Sequence, residues 1–248
     1  MNLNMQIVED AAKELYIRAL KQLPPDIKTG FNRLAESETD TTASTILGTM
    51  MVNIEVAEKT NNLLCQDTGL PIYNIYIGPG LQFDGVKLKQ AIRLGCERAT
   101  KEHPLRSSVV HPITRVNNHT GTGERIPVIN VDFIDRSEEL RMEMVPKGSG
   151  SENGSFLRMC VPAEGVNAVK TFVIDRVIEA GGKVCPPTIV GVGVGGTADL
   201  CMHLAKKAAT RPLGGYCNDT EGAKLEKELS AAVNSLGIGP QGLGGEST

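Results

Sequence analysis

Residues 65–77 read Cys65-Gln66-Asp67-Thr68-Gly69-Leu70-Pro71-Ile72-Tyr73-Asn74-Ile75-Tyr76-Ile77. From Pro71 the stretch alternates and is rich in β-branched and aromatic side chains, which is the pattern of a strand. Its first five residues pack a thiol, an amide and a carboxylate into one turn that ends on glycine. Upstream, the pattern is helical. Ile7, Ala11, Leu15 and the run from Ile17 to Leu20 fall at helical spacing until Pro24-Pro25 stops them. A second helix is predicted over Asp26 to Ala35. A third begins near Thr41 and carries Ile46, Met50, Ile54 and Ala57 toward a core.

Downstream of residue 77, helices and strands mix. Residues 85–102 return to helical periodicity, and Ile126 to Phe133 and Leu140 to Val145 alternate as strands. A Gly/Ser-rich turn follows, Lys147-Gly148-Ser149-Gly150-Ser151-Glu152-Asn153-Gly154. Pro162 opens a helix to about Ala180, with Val166, Val169, Phe172 and Val173 on one face, and Gly181-Gly182 ends it. Ile189 to Val194 is expected as a short apolar strand, followed by a helix from Thr197 through Ala209 and a charged one over about Asp219 to Leu236. The fold class is α/β: mixed helices and strands in a single domain over residues 1–248, with a helical N-terminal third. The chain ends on a glycine-rich loop, Gly237 to Thr248, of the kind that connects two elements; the expectation is a domain cut short at its C-terminus.

Composition narrows the function classes. Lys and Arg number 26 against 29 Asp and Glu, a formal net charge of −3, which argues against a nucleic-acid footprint. With no Trp, five Phe and four Tyr, a stacking platform for single strands is hard to build. No apolar run approaches the roughly 20 residues of a membrane span, and the amphipathic N-terminus is unlike a signal peptide. The expected location is cytoplasmic, with reduced thiols. The six cysteines include no CxxC, so a metal site would gather single cysteines from distant segments.

Four polar segments lie at element ends, where sites concentrate. The turn at Cys65–Gly69 is read two ways: a backbone-capping Asp67 beside a buried Cys65, or a cluster of reactive groups. The loop from His111 to Gly123 offers Arg115, whose guanidinium suits bidentate carboxylate recognition, among amides and hydroxyls. His111 and His119 lack an acidic co-ligand at a telling spacing. The segment from Lys147 to Asn153 lets backbone N–H groups approach an anion. Gly191-Val192-Gly193-Val194-Gly195-Gly196 echoes a dinucleotide fingerprint without the acidic residue about 20 positions on. Finally, Lys183-Val184-Cys185-Pro186-Pro187 places a cysteine in a rigid turn, either buried or held still for a metal. Cys96, Cys201 and Cys217 lack such a context, and Cys160 is intermediate.

Taken in order, the Cys65–Gly69 turn, the Ile113-Thr114-Arg115…Thr120-Gly121 loop, Lys147 to Asn153, Cys185-Pro186-Pro187 with its glycine run, and Gly237 to Gly242 resemble one family. It is the alpha subunit of the iron–sulfur class I fumarate hydratases and L-tartrate dehydratases, and the likeness runs from about residue 40 to the end. The resemblance implies a hydro-lyase built around a [4Fe–4S] cluster held by three cysteines, one iron keeping an open position. Cys65 and Cys185 match two ligand positions, and the third is expected beyond Thr248. Gln66 and Asp67 match substrate-contacting residues, Asp67 also serving proton transfer. Arg115 matches a carboxylate clamp, and Gly150 a glycine whose backbone touches substrate. The resemblance also implies a beta subunit carrying the rest of the active site, and a homo- or hetero-oligomer.

The expected activity is reversible dehydration of a hydroxy-dicarboxylate, malate to fumarate first and tartrate to oxaloacetate second. Two rivals come from other classes: a cluster-free dicarboxylate-binding or assembly subunit, and a nucleotide-dependent dehydrogenase. Protein colour and nicotinamide fluorescence separate them.

Overall fold

The computed structural model describes residues 2–135 and 139–247. The chain is mixed α/β with a helical N-terminal third, as expected. The domain comprises two compact units, each assembled from two stretches of chain: Met1–Leu23 with Ile54–Ser149, and Pro24–Asn53 with Gly150–Thr248.

In the first unit, helix α1 (Met5–Lys21) begins where the Asn4 side chain accepts the Gln6 N–H. Strand β1 (Leu70–Ile77) is central in a three-stranded sheet of order β2-β1-β3. It runs parallel to β2 (Val128–Phe133) and antiparallel to β3 (Leu140–Lys147). Helix α4 (Gly85–Glu102), capped by Asp84 on the Val86 and Lys87 N–H groups, connects the parallel pair. Tyr73, Ile75 and Ile77 on one face of β1 join Val8, Ala12, Tyr16 and Leu20 of α1 and Leu88, Ile92 and Cys96 of α4 in the core. The Tyr73 hydroxyl donates to the Ala12 carbonyl at 2.9 Å, so the ring is buried without stranding its polar end. The opposite face of β1 mixes Leu70, Ile72 and the buried Tyr76 with Asn74, to which Asn130 donates at 2.9 Å. Helices α1 and α4 approach so closely that a Cβ on Gly95 would collide with the Glu9 carbonyl. Beside that crossing, Arg98 pairs with Glu9 and Asp10, each at 2.7 Å.

The second unit is mostly helical. Helix α2 (Pro25–Ser37) starts on a proline, whose missing N–H costs nothing in a first turn. Helix α3 (Thr41–Lys59) begins in this unit and ends in the first. It buries Ala43, Leu47 and Ala57, while Ile46, Met50 and Ile54 are half-buried. Helix α5 (Ser149–Glu152) is a single turn. Beyond it, α6 (Gly165–Ala180) follows a 3-10 turn at Pro162–Glu164 and ends at Gly181, φ +48°. It packs on α8 (Thr220–Asn234), with Lys170 and Glu228 paired at 2.5 Å. Its buried residues are Ala168 and Val173; Val166, expected inward, is exposed.

One predicted element does not form. Ile189 to Val194 is not a strand but an extended run without ladder partners among the described residues. The reason lies in its glycines. A Cβ on Gly191 or Gly193 would collide with carbonyls of Ala205 and Cys201 in α7 (Ala198–Ala209), so the run lies flat on that helix. Cys201 Sγ donates to the Gly193 carbonyl at 3.1 Å, fixing the contact.

The loop after α8 is clasped by Glu38, just beyond α2. Its carboxylate accepts the N–H groups of Glu246 and Ser247 at 3.1 and 2.9 Å and the Ser247 hydroxyl. The same carboxylate accepts the Thr39 and Asp40 N–H groups.

Candidate active site

The expected site residues fall into two groups, one in each unit. In the first unit, the Cys65–Gly69 turn enters β1 and the Lys147–Ser149 turn leaves β3, its antiparallel neighbour, with Leu70 paired to Lys147. Strand pairing therefore places the two turns side by side. They touch backbone to backbone: Gly69 sits at φ +67°, and a Cβ there would lie 2.5 Å from the Lys147 carbonyl carbon.

Across this contact the Asp67 carboxylate meets Ser149. Oδ2 accepts the Ser149 N–H at 2.8 Å and the Ser149 hydroxyl at 3.1 Å. The glycine turn read from sequence as an anion cradle thus receives an anion from its own chain. Thr68 is buried and anchors the turn: its hydroxyl donates to the Arg106 carbonyl at 2.5 Å, and its own carbonyl accepts from Tyr16 at 3.5 Å.

Arg106 opens the segment that carries Arg115. Asn117 braces it, donating to the Ser107 carbonyl at 2.9 Å and accepting the His119 N–H at 2.8 Å. Arg115 itself sits at φ +61°, a sparsely populated region for a non-glycine residue, and its side chain is exposed. Among the described residues no carboxylate pairs with its guanidinium. His111 has a structural task, since Nδ1 accepts the Ile113 and Thr114 N–H groups at 3.3 and 3.1 Å. Neither it nor His119 joins a metal-ligating cluster among the described residues.

Cys65 and Gln66 are exposed, so the reading that buried Cys65 does not hold, while Asp67 caps backbone as the other half of that reading expected. In the second unit, Gly150 lies in α5, where a Cβ would be 3.8 Å from the Lys183 carbonyl. Cys185 is exposed beside the buried Pro186. Gly182, three residues before it, would collide through a Cβ with the Gln241 carbonyl, so the late glycine loop packs against the segment leading to Cys185. The dinucleotide reading of Gly191 to Gly196 loses its context, because no strand precedes the glycines and helix α7 occupies the space that a pyrophosphate would need.

The fit to an iron–sulfur cluster is a question of donor chemistry. Cluster ligands are thiolates, favoured by exposure and by N–H groups directed at sulfur. Cys65 meets both conditions, with the Asp67 N–H donating to Sγ at 3.4 Å. Cys185 meets the first, in a turn. Cys96 fails: burial in the core pushes its thiol up to about 12. The donors at Cys65 and Cys185 fit, although no three Cys, His, Asp or Glu side chains converge among the described residues.

Sequence reasoning missed Ser149 and Thr68 as members of this site. Their signal was the polar residue inside each glycine turn, and pairing of the turns gives it meaning.

Comparison with known proteins gives the chain's relatives. The family model described as fumarate hydratase (Fumerase) matches residues 9–248. A Methanocaldococcus jannaschii protein, provisionally named L(+)-tartrate dehydratase subunit alpha, is 43% identical over 244 residues, covering 97% of this chain and 85% of its own length. The L(+)-tartrate dehydratase subunit alpha of Escherichia coli K12 is 31% identical over 227 residues, 92% of this chain and 75% of that one. With the match running through both units and all the motif turns, the chain belongs to the fumarate hydratase (Fumerase) family.

Proposed function

We propose that this chain is the alpha-type subunit of a hydro-lyase that reversibly dehydrates a hydroxy-dicarboxylate, malate to fumarate foremost. The observation that carries the reading is the Asp67 carboxylate, pinned by Ser149 within a turn that also presents the Cys65 thiol and the Gln66 amide. Cys65 and Cys185 are the thiolates that would help hold a [4Fe–4S] cluster. When bound with one iron open, such a cluster supplies a Lewis acid for a substrate oxygen.

The remaining chemistry belongs to the chain. Removing a proton from a carbon beside a carboxylate is difficult, because the developing negative charge must be stabilised. Asp67 takes that proton on its carboxylate as the C–O bond breaks with its electron pair, and the departing hydroxide becomes water with one proton, the one Asp67 gives up when its carboxylate is restored. In hydration Asp67 returns the proton. Gln66 orients the substrate through its amide. Arg115, with no carboxylate partner of its own among the described residues, pairs with the remote substrate carboxylate. Gly150 offers backbone at close range. A beta subunit completes the site, in keeping with relatives named as alpha subunits. Those names also favour a second reading, in which the substrate is L(+)-tartrate.

The test is the anaerobically prepared alpha–beta complex, assayed for fumarate formation from malate and oxaloacetate formation from L-tartrate. We expect malate turnover, and its loss by more than about 100-fold in Asp67→Asn, the range for removal of a general acid–base. Faster turnover of tartrate selects the second reading. Normal turnover in the variant removes Asp67 from the chemistry. Bound iron provides a further check: Cys185→Ser is expected to lower it and Cys201→Ser, whose thiol already serves the Gly193 carbonyl, to leave it unchanged. Equal iron in both variants rejects the ligand assignment.

A further inference from the structure

The Asp67 carboxylate is the end point of an unusually specific arrangement. The three heavy atoms nearest to a Cβ built on Gly148 all belong to one group: Oδ2, Cγ and Oδ1 of Asp67, at 2.9, 3.2 and 3.7 Å. The residue that follows supplies two hydrogen bonds to Oδ2 from a single position, one from its N–H and one from its hydroxyl. Gly148 therefore makes room for the carboxylate, and Ser149 fixes which way it faces. Neither position is at positive φ, so backbone conformation does not itself demand glycine at 148.

A carboxylate that transfers a proton needs its free rotation about χ2 restrained, since misplacement by an ångström costs rate steeply. Two donors on one oxygen impose that restraint. The turn that carries Asp67 is itself held rigidly, because Gly69 packs onto the Lys147 backbone and Thr68 ties it to Arg106, so it does not shift to make up for a displaced carboxylate.

We infer that Gly148 and Ser149 are positioning residues for Asp67: the glycine by having no side chain, the serine by holding Oδ2 with both of its donors. The inference rests on the role given to Asp67 under the proposed function. It assigns a task to two residues of the glycine turn to which the proposed function gives no contact with substrate.

The experiment uses the alpha–beta complex with five variants: G148A, S149A, S149T, D67N and the double variant S149A/D67N. For each, kcat and KM for malate are measured, with the thermal midpoint as a check on folding. G148A and S149A are expected to lower kcat about ten-fold, the scale of one charge-assisted hydrogen bond, with KM within about three-fold and the midpoint unmoved. S149T, which keeps the hydroxyl, restores kcat to within about two-fold of the parent. In the D67N background S149A has no further effect, because Ser149 acts only through Asp67. The inference is overturned if G148A and S149A keep parental kcat while D67N loses it. It is equally overturned if S149A lowers the residual rate of D67N by the same factor as in the parent. If D67N itself keeps full turnover, the proposed role of Asp67 falls first and the positioning role falls with it. These results separate the two failures. Should G148A fail to fold, the S149A, S149T and double-variant comparisons decide the question without it.

Discussion

Two carboxylates in this chain are each gripped by a serine, and the consequences differ. At Asp67 the grip restrains a group in the candidate site. At Glu38 it ties down chain. Burial works to raise the Glu38 carboxyl, but the Ser247 hydroxyl and the N–H groups of Asp40, Glu246 and Ser247 outweigh it and bring it down from 4.5 to about 2. A carboxyl lowered on folding lends stability at pH values above its unfolded value and loses it as pH falls through the folded one. The Glu38 clasp is therefore intact above about pH 4.5 and released between there and about pH 2. Hydrogen exchange at the Ser247 amide should accelerate, relative to that of a core amide such as Ile75, as pH falls through this window. In Glu38→Gln the Ser247 amide should already be unprotected at neutral pH. Equal protection in parent and variant would mean that other contacts hold the loop. As candidates, Cys65, Gln66, Asp67 and Arg115 could be picked from the sequence because they stand in polar, glycine-containing turns whose order along the chain resembles one family's. Ser149 could not, since its partner is 82 residues away and only the pairing of β1 with β3 joins them.

At the level of elements, the boundaries were readable where chemistry marks them. Asp84, Thr197 and Asp219 precede helices that start on the next residue, and Pro25 opens α2. The extended run at Ile189 to Val194 shows what such marks cannot convey. Its β-branched residues are those of a strand, but its glycines pack face to face with α7, a property of the partner surface rather than of the run. The same dependence on a close partner makes Gly95 a sensitive position. It lies mid-helix, where alanine is ordinarily preferred by about 1 kcal/mol. Here the added methyl would be driven into the Glu9 carbonyl, and the colliding atom is helix backbone that cannot swing aside. Gly95→Ala is thus expected to destabilise by about 1–3 kcal/mol, read as a lower urea midpoint at unchanged slope. A gain in stability would show that α1 and α4 have room to separate.

For the whole molecule, composition and motif order sufficed for the α/β class and the family, since both depend on local signals accumulated along the chain. The division into two units did not show itself, because it is a matter of which distant stretches share contacts. Each unit draws on two separated stretches, and α1 brings to the first unit the side chains that close its core over the sheet.

That interleaving has a bearing on how the protein is made. A ribosome adds about 5–20 residues per second, and domains fold as their residues emerge. The first unit has all its parts once Ser149 is out, yet Pro24–Asn53 lies between its two stretches and belongs to the other. Glu38 has to wait 208 residues for the Glu246 amide, an interval of about 10–40 seconds at that pace. Helix α2 meets its later partners in sequence: the Leu213 N–H, which donates to Asp26, comes 187 residues after it, and the Glu246 amide closes the clasp last. The order of its segments therefore makes the second unit the last to gather all its contacts.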